Sequence, residues 1–144
     1  MRVSSRGHYG LRAMVELAKA YGEGPVSLGQ IAQAEKISLG YLEQLISKLR
    51  RAGLVESTRG AHGGYRLAVA PSLVMVGEVV RVLEGPIVPV ECVSEQEDPS
   101  CCERTTDCPS REVWRRMRDS INEVLDSTSL ADLCHADLPQ QGVI

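Results

Sequence analysis

Four of the five cysteines lie between Cys92 and Cys108, in the spacing C-x8-C-C-x5-C. Thiolates are soft ligands, so several gathered on one segment can hold iron or zinc without a pocket carved from a packed core. The segment is rich in acidic residues and proline and shows neither helical nor strand periodicity, which places the cysteines on a loop. Structural zinc sites pair their ligands two to four residues apart. Gaps of eight and five disfavour zinc. An odd cysteine count argues for ligation or redox sensing over a disulfide framework. Cys134 and His135 follow a short apolar stretch and read as a packed thiol beside an exposed imidazole. Catalysis has little support, because the chain has no phosphate-cradling glycine loop, no nucleophile elbow and no HExxH.

The elements around the loop decide what it serves. From about Gly7 to Tyr21, Leu11, Met14, Val15, Leu17 and Ala18 share a helical face, until Gly22, Gly24 and Pro25 break the pattern. Ser27 stands three residues before Gln30, the capping-box arrangement, and opens a short second helix carrying Leu28, Ile31 and Ala32. Ser38 caps a third helix running to about Ala52, whose Leu42, Leu45, Ile46 and Leu49 form a stripe, and Gly53 ends it. Two short helices joined by a tight turn describe a helix-turn-helix. The outward face of the second offers Tyr41, Gln44, Ser47, Lys48, Arg50 and Arg51, which supply donors and acceptors for base edges and cations for phosphates. Leu54 to Thr58 and Tyr65 to Val69 read as two short strands joined by a glycine-rich loop, a wing. Arg59 stands where it can enter a narrow minor groove, and His62 reads as a turn residue.

Charge follows the same division. Residues 1–70 carry ten Lys or Arg against five Asp or Glu, and residues 71–144 six against fourteen, so the halves are +5 and −8. A basic N-terminal half suits a polyanion. Pro109 and Ser110 introduce the longest helix, to about Asp126, in which Trp114, Met117, Ile121 and Val124 recur at intervals of 3, 4 and 3, with Val113 and Leu125 widening the stripe. Such a seam pairs most simply with its own copy, giving a two-fold dimer for a near-palindromic operator in double-stranded DNA.

The motifs MRVSSRGHYGLRAM, ISLGYLEQLISKLRRAGLVESTRGAHGGYRLA and VGEVVRVLEGP, with the cysteine loop leading to REVW, resemble the winged helix-turn-helix transcription regulators that include IscR, NsrR and CymR. The likeness spans nearly the whole chain. It implies a homodimer in which Tyr41, Glu43, Gln44 and Arg59 read DNA, with phosphate contacts from Arg2 and Ser38. Gly40 departs from the serine found there in some members. The resemblance also implies a 2Fe-2S cluster held by Cys92, Cys102 and Cys108, with Cys101 the alternative to Cys102. IscR-type proteins complete the set with a histidine three residues after the last cysteine, where this chain has Arg111, and guanidinium has no lone pair to offer. Other members use an acidic residue near the start of the partner chain's first helix; the matching position implies His8 of the partner subunit as fourth ligand, with Glu43, Glu103, Asp107 and Cys101 in competition.

The expected architecture is mainly α with a small β-wing: residues 1–84 a winged helix-turn-helix, 85–109 the cysteine-rich loop, and 110–144 a dimerisation helix and tail. No apolar run approaches the roughly 18 residues of a membrane span, and the start lacks a signal-peptide pattern, so a cytoplasmic protein is expected. The function expected is a repressor or dual regulator that senses iron-sulfur or redox and NO status and controls cluster-biogenesis genes. The alternatives are a CymR-like regulator of cysteine metabolism and a zinc- or thiol-responsive repressor without a cluster. An electron-transfer protein would leave the third helix unexplained.

Overall fold

In a chain with no phenylalanine and one tryptophan, the interior has to be assembled from aliphatic side chains contributed by several elements. The computed structural model describes residues 2–95 and 107–135. Its helices are α1 (Ser5–Lys19), α2 (Leu28–Glu35), α3 (Leu39–Arg51), α4 (Val76–Glu84), α5 (Pro109–Ser127) and α6 (Leu130–Cys134), with strands β1 (Val55–Thr58) and β2 (Gly64–Leu67) after α3. Met14 and Leu17 of α1, Leu42, Leu45, Ile46 and Leu49 of α3, Val55 and Leu67 of the strands, and Val79 of α4 belong to one continuous core. The fold is a winged helix-turn-helix.

The turn between α2 and α3 sets the geometry of the unit. Lys36 adopts φ 57° and ψ 43°, the left-handed conformation that ends α2, and its N–H bonds back into the helix. The Ser38 hydroxyl then accepts the Tyr41 N–H at 3.1 Å and starts α3 as expected. Ser27 behaves differently from the expectation. Its hydroxyl accepts the Gly29 N–H at 3.2 Å, two residues on, instead of closing a capping box with Gln30.

The two strands pair antiparallel with Val55 opposite Leu67 and Thr58 opposite Gly64, each one residue shorter than the apolar pattern suggested, and β2 begins one residue earlier. Val26, just before α2, exchanges two backbone hydrogen bonds of 2.8 Å with Tyr65 and so ties the wing to the helix-turn-helix. Gly64 is required by that approach: a Cβ there would lie 2.5 Å from the Val26 carbonyl oxygen.

α1 and α4 cross at very close range. A Cβ on Gly10 would fall 2.1 Å from Leu83 Cδ1, and Leu83 is itself buried, so it has nowhere to swing. Beyond α4 the chain leaves this core; among the described residues before Ser129 only Val93 is buried, and none of α5. It returns at Ser129, where a capping box with Asp132 (2.8 and 3.1 Å) starts α6 and Leu130 enters the core. Leu130 N–H bonds to Val74 O at 2.9 Å and Val76 N–H to Thr128 O at 2.8 Å, which fixes this return.

Candidate nucleic-acid interface and cysteine site

Because Leu42, Leu45, Ile46 and Leu49 face the core, helical geometry turns the remaining positions of α3 outward. Gly40, Glu43, Gln44, Ser47, Lys48 and Arg51 line one open groove along that face. Gln44 and Lys48 are exposed, Ser47 is half-buried, and nothing stands within 4 Å of where a Gly40 Cβ would be. Arg50 is exposed but does not line this groove. Tyr41 is half-buried and held edge-on against Tyr9 of α1, ring centroids 6.4 Å apart at 84°. Lys48, Arg50 and Arg51 also fill the last turn of α3, where they complement the negative end of the helix.

The other expected DNA contacts sit on separate elements. Ser38 is exposed at the start of α3, and its hydroxyl proton is still available after the bond from Tyr41 N–H. Arg59 is exposed immediately after β1, and Arg2 is exposed ahead of α1. Within the wing, Glu56 and Arg66 lie opposite one another and form an exposed ion pair at 3.2 Å.

The two described cysteines of the loop are both bonded through their backbones to the first turn of α5. Cys92 is half-buried in a 3-10 turn spanning Glu91–Val93, and Cys108 is the residue that caps α5, its sulfur 3.1 Å from the Ser110 hydroxyl. Arg111 binds both backbones: its N–H donates to Cys108 O at 3.2 Å and its Nη2 to Cys92 O at 3.3 Å. Two turns on, Arg118 Nη1 donates to Val93 O at 3.2 Å and Ser94 O at 3.3 Å. Cys101, Cys102 and Glu103 lie outside the described residues. Among the described residues no three His, Cys, Asp or Glu side chains gather as a metal-holding group. His8 is exposed on α1, its ring tilted against Tyr9 at 5.2 Å.

Sequence reasoning missed what connects this segment to the rest of the protein. Arg81 of α4 donates through Nε to Glu95 at 2.9 Å, through Nη1 and Nη2 to Asp126 at 2.6 and 3.0 Å, and through Nη2 to Asn122 at 3.0 Å. The bond to Asp126, opposed by burial and then supported by Glu95, holds this guanidinium protonated even more firmly than usual. Glu95 also accepts Ile87 N–H at 2.8 Å. One cation therefore joins α4, the stretch just after Cys92, and α5. An arginine within an apolar helical run was the only signal in the sequence.

Cys134 matches the expectation of a packed thiol. Its sulfur lies 3.9 Å from the Val15 carbonyl oxygen, and burial pushes its pKa up, with Lys19 opposing. The neighbouring His135 is exposed. No helix among the described residues is long and apolar enough to cross a membrane.

These features agree with comparisons to known proteins. The family model described as Rrf2, iron-dependent transcriptional regulator, matches residues 3–136. The HTH-type transcriptional regulator CymR of Bacillus subtilis (strain 168) is 54% identical over 133 residues, covering 92% of this chain and 89% of that protein. The solved structure of CymR, the global cysteine regulator of B. subtilis, superposes with a TM-score of 0.79 at 52% identity, covering 94% of this chain and 98% of that one. The structure of T. potens IscR superposes at 0.77 with 44% identity, covering 100% and 93%. Such similarity along the whole winged unit, together with the groove on α3, makes this chain a DNA-binding transcription regulator of the Rrf2 family and not an enzyme.

Proposed function

We propose that the protein is a homodimeric repressor or dual regulator that reports iron-sulfur or redox and NO status through a 2Fe-2S cluster and controls cluster-biogenesis genes. The observation that carries this reading is that the backbone carbonyls of Cys92 and Cys108, sixteen residues apart in sequence, both bond to Arg111 in the first turn of α5. The described residues contribute two thiols to such a group, Cys92 and Cys108, beside a guanidinium whose charge favours an anionic assembly. Cys102, or Cys101, supplies the third thiolate in this reading, and His8 of the partner subunit the fourth ligand. When bound, a 2Fe-2S cluster supplies one-electron redox chemistry and lability toward oxidants and NO.

The protein's own residues do the rest. On α3, Gln44 reads base edges, while Lys48, Arg50 and the Ser38 hydroxyl engage phosphates; Tyr41 is positioned by Tyr9, and Arg59 extends the contact from the wing. Support for a dimer comes from the exposed seam on α5, where Val113 is 57%, Trp114 37% and Val124 64% exposed in the single chain. The Glu95–Arg81–Asp126 connection offers a physical route from the cysteine segment to α4 and α5.

Anaerobically purified protein is expected to be coloured and to contain iron and sulfide. Cys92→Ala loses the visible absorption, whereas Cys134→Ala keeps it. Colourless protein that gains no chromophore on reconstitution, yet binds its promoter normally, would instead favour a CymR-like regulator of cysteine metabolism, the reading that 54% identity to CymR supports.

Glu43 lines the same groove as Gln44 and Lys48, so a carboxylate faces the phosphate-bearing partner. It is tolerated where it accepts a hydrogen bond from a cytosine amine and is repelled elsewhere. Glu43→Ala is expected to relax the choice between operators. Identical operator preferences of wild type and variant, measured with and without the cofactor, would refute this role.

A further inference from the structure

α1 starts without a cap of its own. Ser4 stands at the capping position, but its hydroxyl makes no bond to the first turn of α1. Both donors of Ser4 turn to Glu84, the last residue of α4: Glu84 Oε1 accepts the Ser4 N–H at 2.6 Å and the Ser4 hydroxyl as well. A carboxylate is disfavoured at the C-terminal end of its own helix and favoured at the N-terminal end of another, so the field of both helices draws Glu84 toward the start of α1. Gly7 leaves room for it. A Cβ there would lie 2.6 Å from Glu84 Oε1, so any larger residue pushes the carboxylate off Ser4. Arg2 and Val3, just ahead of Ser4, are both exposed, and no ion pair holds the Arg2 side chain among the described residues. The tie at Ser4 is therefore the last fixed point before Arg2.

We propose that Glu84 is the positioning residue of the N-terminal arm: by holding Ser4 it aims Arg2 at the DNA backbone, so a side chain of the wrong charge for a polyanion strengthens binding to one. This role rests on the phosphate contact expected of Arg2. A carboxylate near a DNA-binding face repels phosphates, so on charge alone its removal would tighten binding. Positioning predicts the opposite sign.

The test is fluorescence anisotropy of the full-length protein with the operator and with scrambled DNA over a range of salt, with thermal melting of every variant. Arg2→Ala is expected to lower affinity for both DNAs by about threefold to tenfold at about 0.1 M salt, and the slope of log affinity against log salt by about 0.9, the share of one phosphate. Glu84→Ala is expected to change both in the same direction, and to weaken binding no further in the Arg2→Ala background. Glu84→Gln keeps an acceptor for Ser4 and is expected to bind at least as tightly as wild type. Gly7→Ala leaves every charge in place and raises helix propensity while displacing the carboxylate. It is expected to weaken binding as Glu84→Ala does, and decides the matter if that variant misfolds. A folded Glu84→Ala, or Gly7→Ala in its stead, that binds as tightly as wild type would overturn the role of Glu84 while leaving Arg2 a phosphate contact. So would equal weakening with and without Arg2, which would mark a loss spread through the whole fold. Arg2→Ala that binds both DNAs like wild type would overturn the Arg2 contact, and this role with it.

Discussion

Gln44→Ala lowers operator affinity by about tenfold to a hundredfold and flattens discrimination at one base position, because a side chain with two hydrogen-bonding groups aimed at a base edge contributes about 1–3 kcal/mol of discrimination. Lys48→Ala, one turn along the same groove, acts differently. It weakens binding to all sequences alike and reduces the slope of log affinity against log salt by about 0.9, the share of one neutralised phosphate. Fluorescence anisotropy with the operator and with scrambled DNA, repeated at several salt concentrations, separates the two behaviours. If Gln44→Ala lost affinity uniformly and Lys48→Ala lost specificity, the assignment of these two residues would have to be exchanged.

Leu49→Ala destabilises the apo protein by about 2–5 kcal/mol, a large part of the roughly 5–15 kcal/mol that holds an ordinary domain together. Leu49 is fully buried on the inner face of α3, and the Leu49 carbonyl also accepts the Leu54 N–H at 3.0 Å where the chain turns into the wing. A cavity there loosens the support of the reading helix and the entry to β1 together. Chemical denaturation followed by circular dichroism gives the magnitude; a midpoint within experimental error of wild type would show that neighbouring side chains collapse fully into the space.

The α3 stripe was legible because Leu42, Leu45, Ile46 and Leu49 obey a local period that any amphipathic helix must show. Ser38 was legible as a cap for the same local reason, since its partner is three residues away. The Ser27 capping box was not realised, because its spacing is compatible with more than one turn and Gly29 offers a nearer N–H. Gly10 carried no signal at all: its small size answers to Leu83, which is distant in sequence and adjacent only in space. The cysteine site divides along the same line. Thiol spacing identified Cys92 and Cys108 as candidates, but the grip of Arg111 on Cys92 and of Arg81 on Glu95 and Asp126 depends on long-range approach that no spacing encodes. Arg111 was visible in the sequence only as the wrong residue for a ligand.

The re-entry of Leu130 beneath Val74 gives the far end of the polypeptide a stake in the recognition unit. A fragment cut after α5 would forfeit that leucine, expose the strip around residues 74–76 and deprive α1 of a neighbour, although every groove-lining side chain remained in place. Excising a minimal DNA reader from this protein therefore requires keeping α6, and changes near Ser129 or Asp132 can be felt at the operator without touching it.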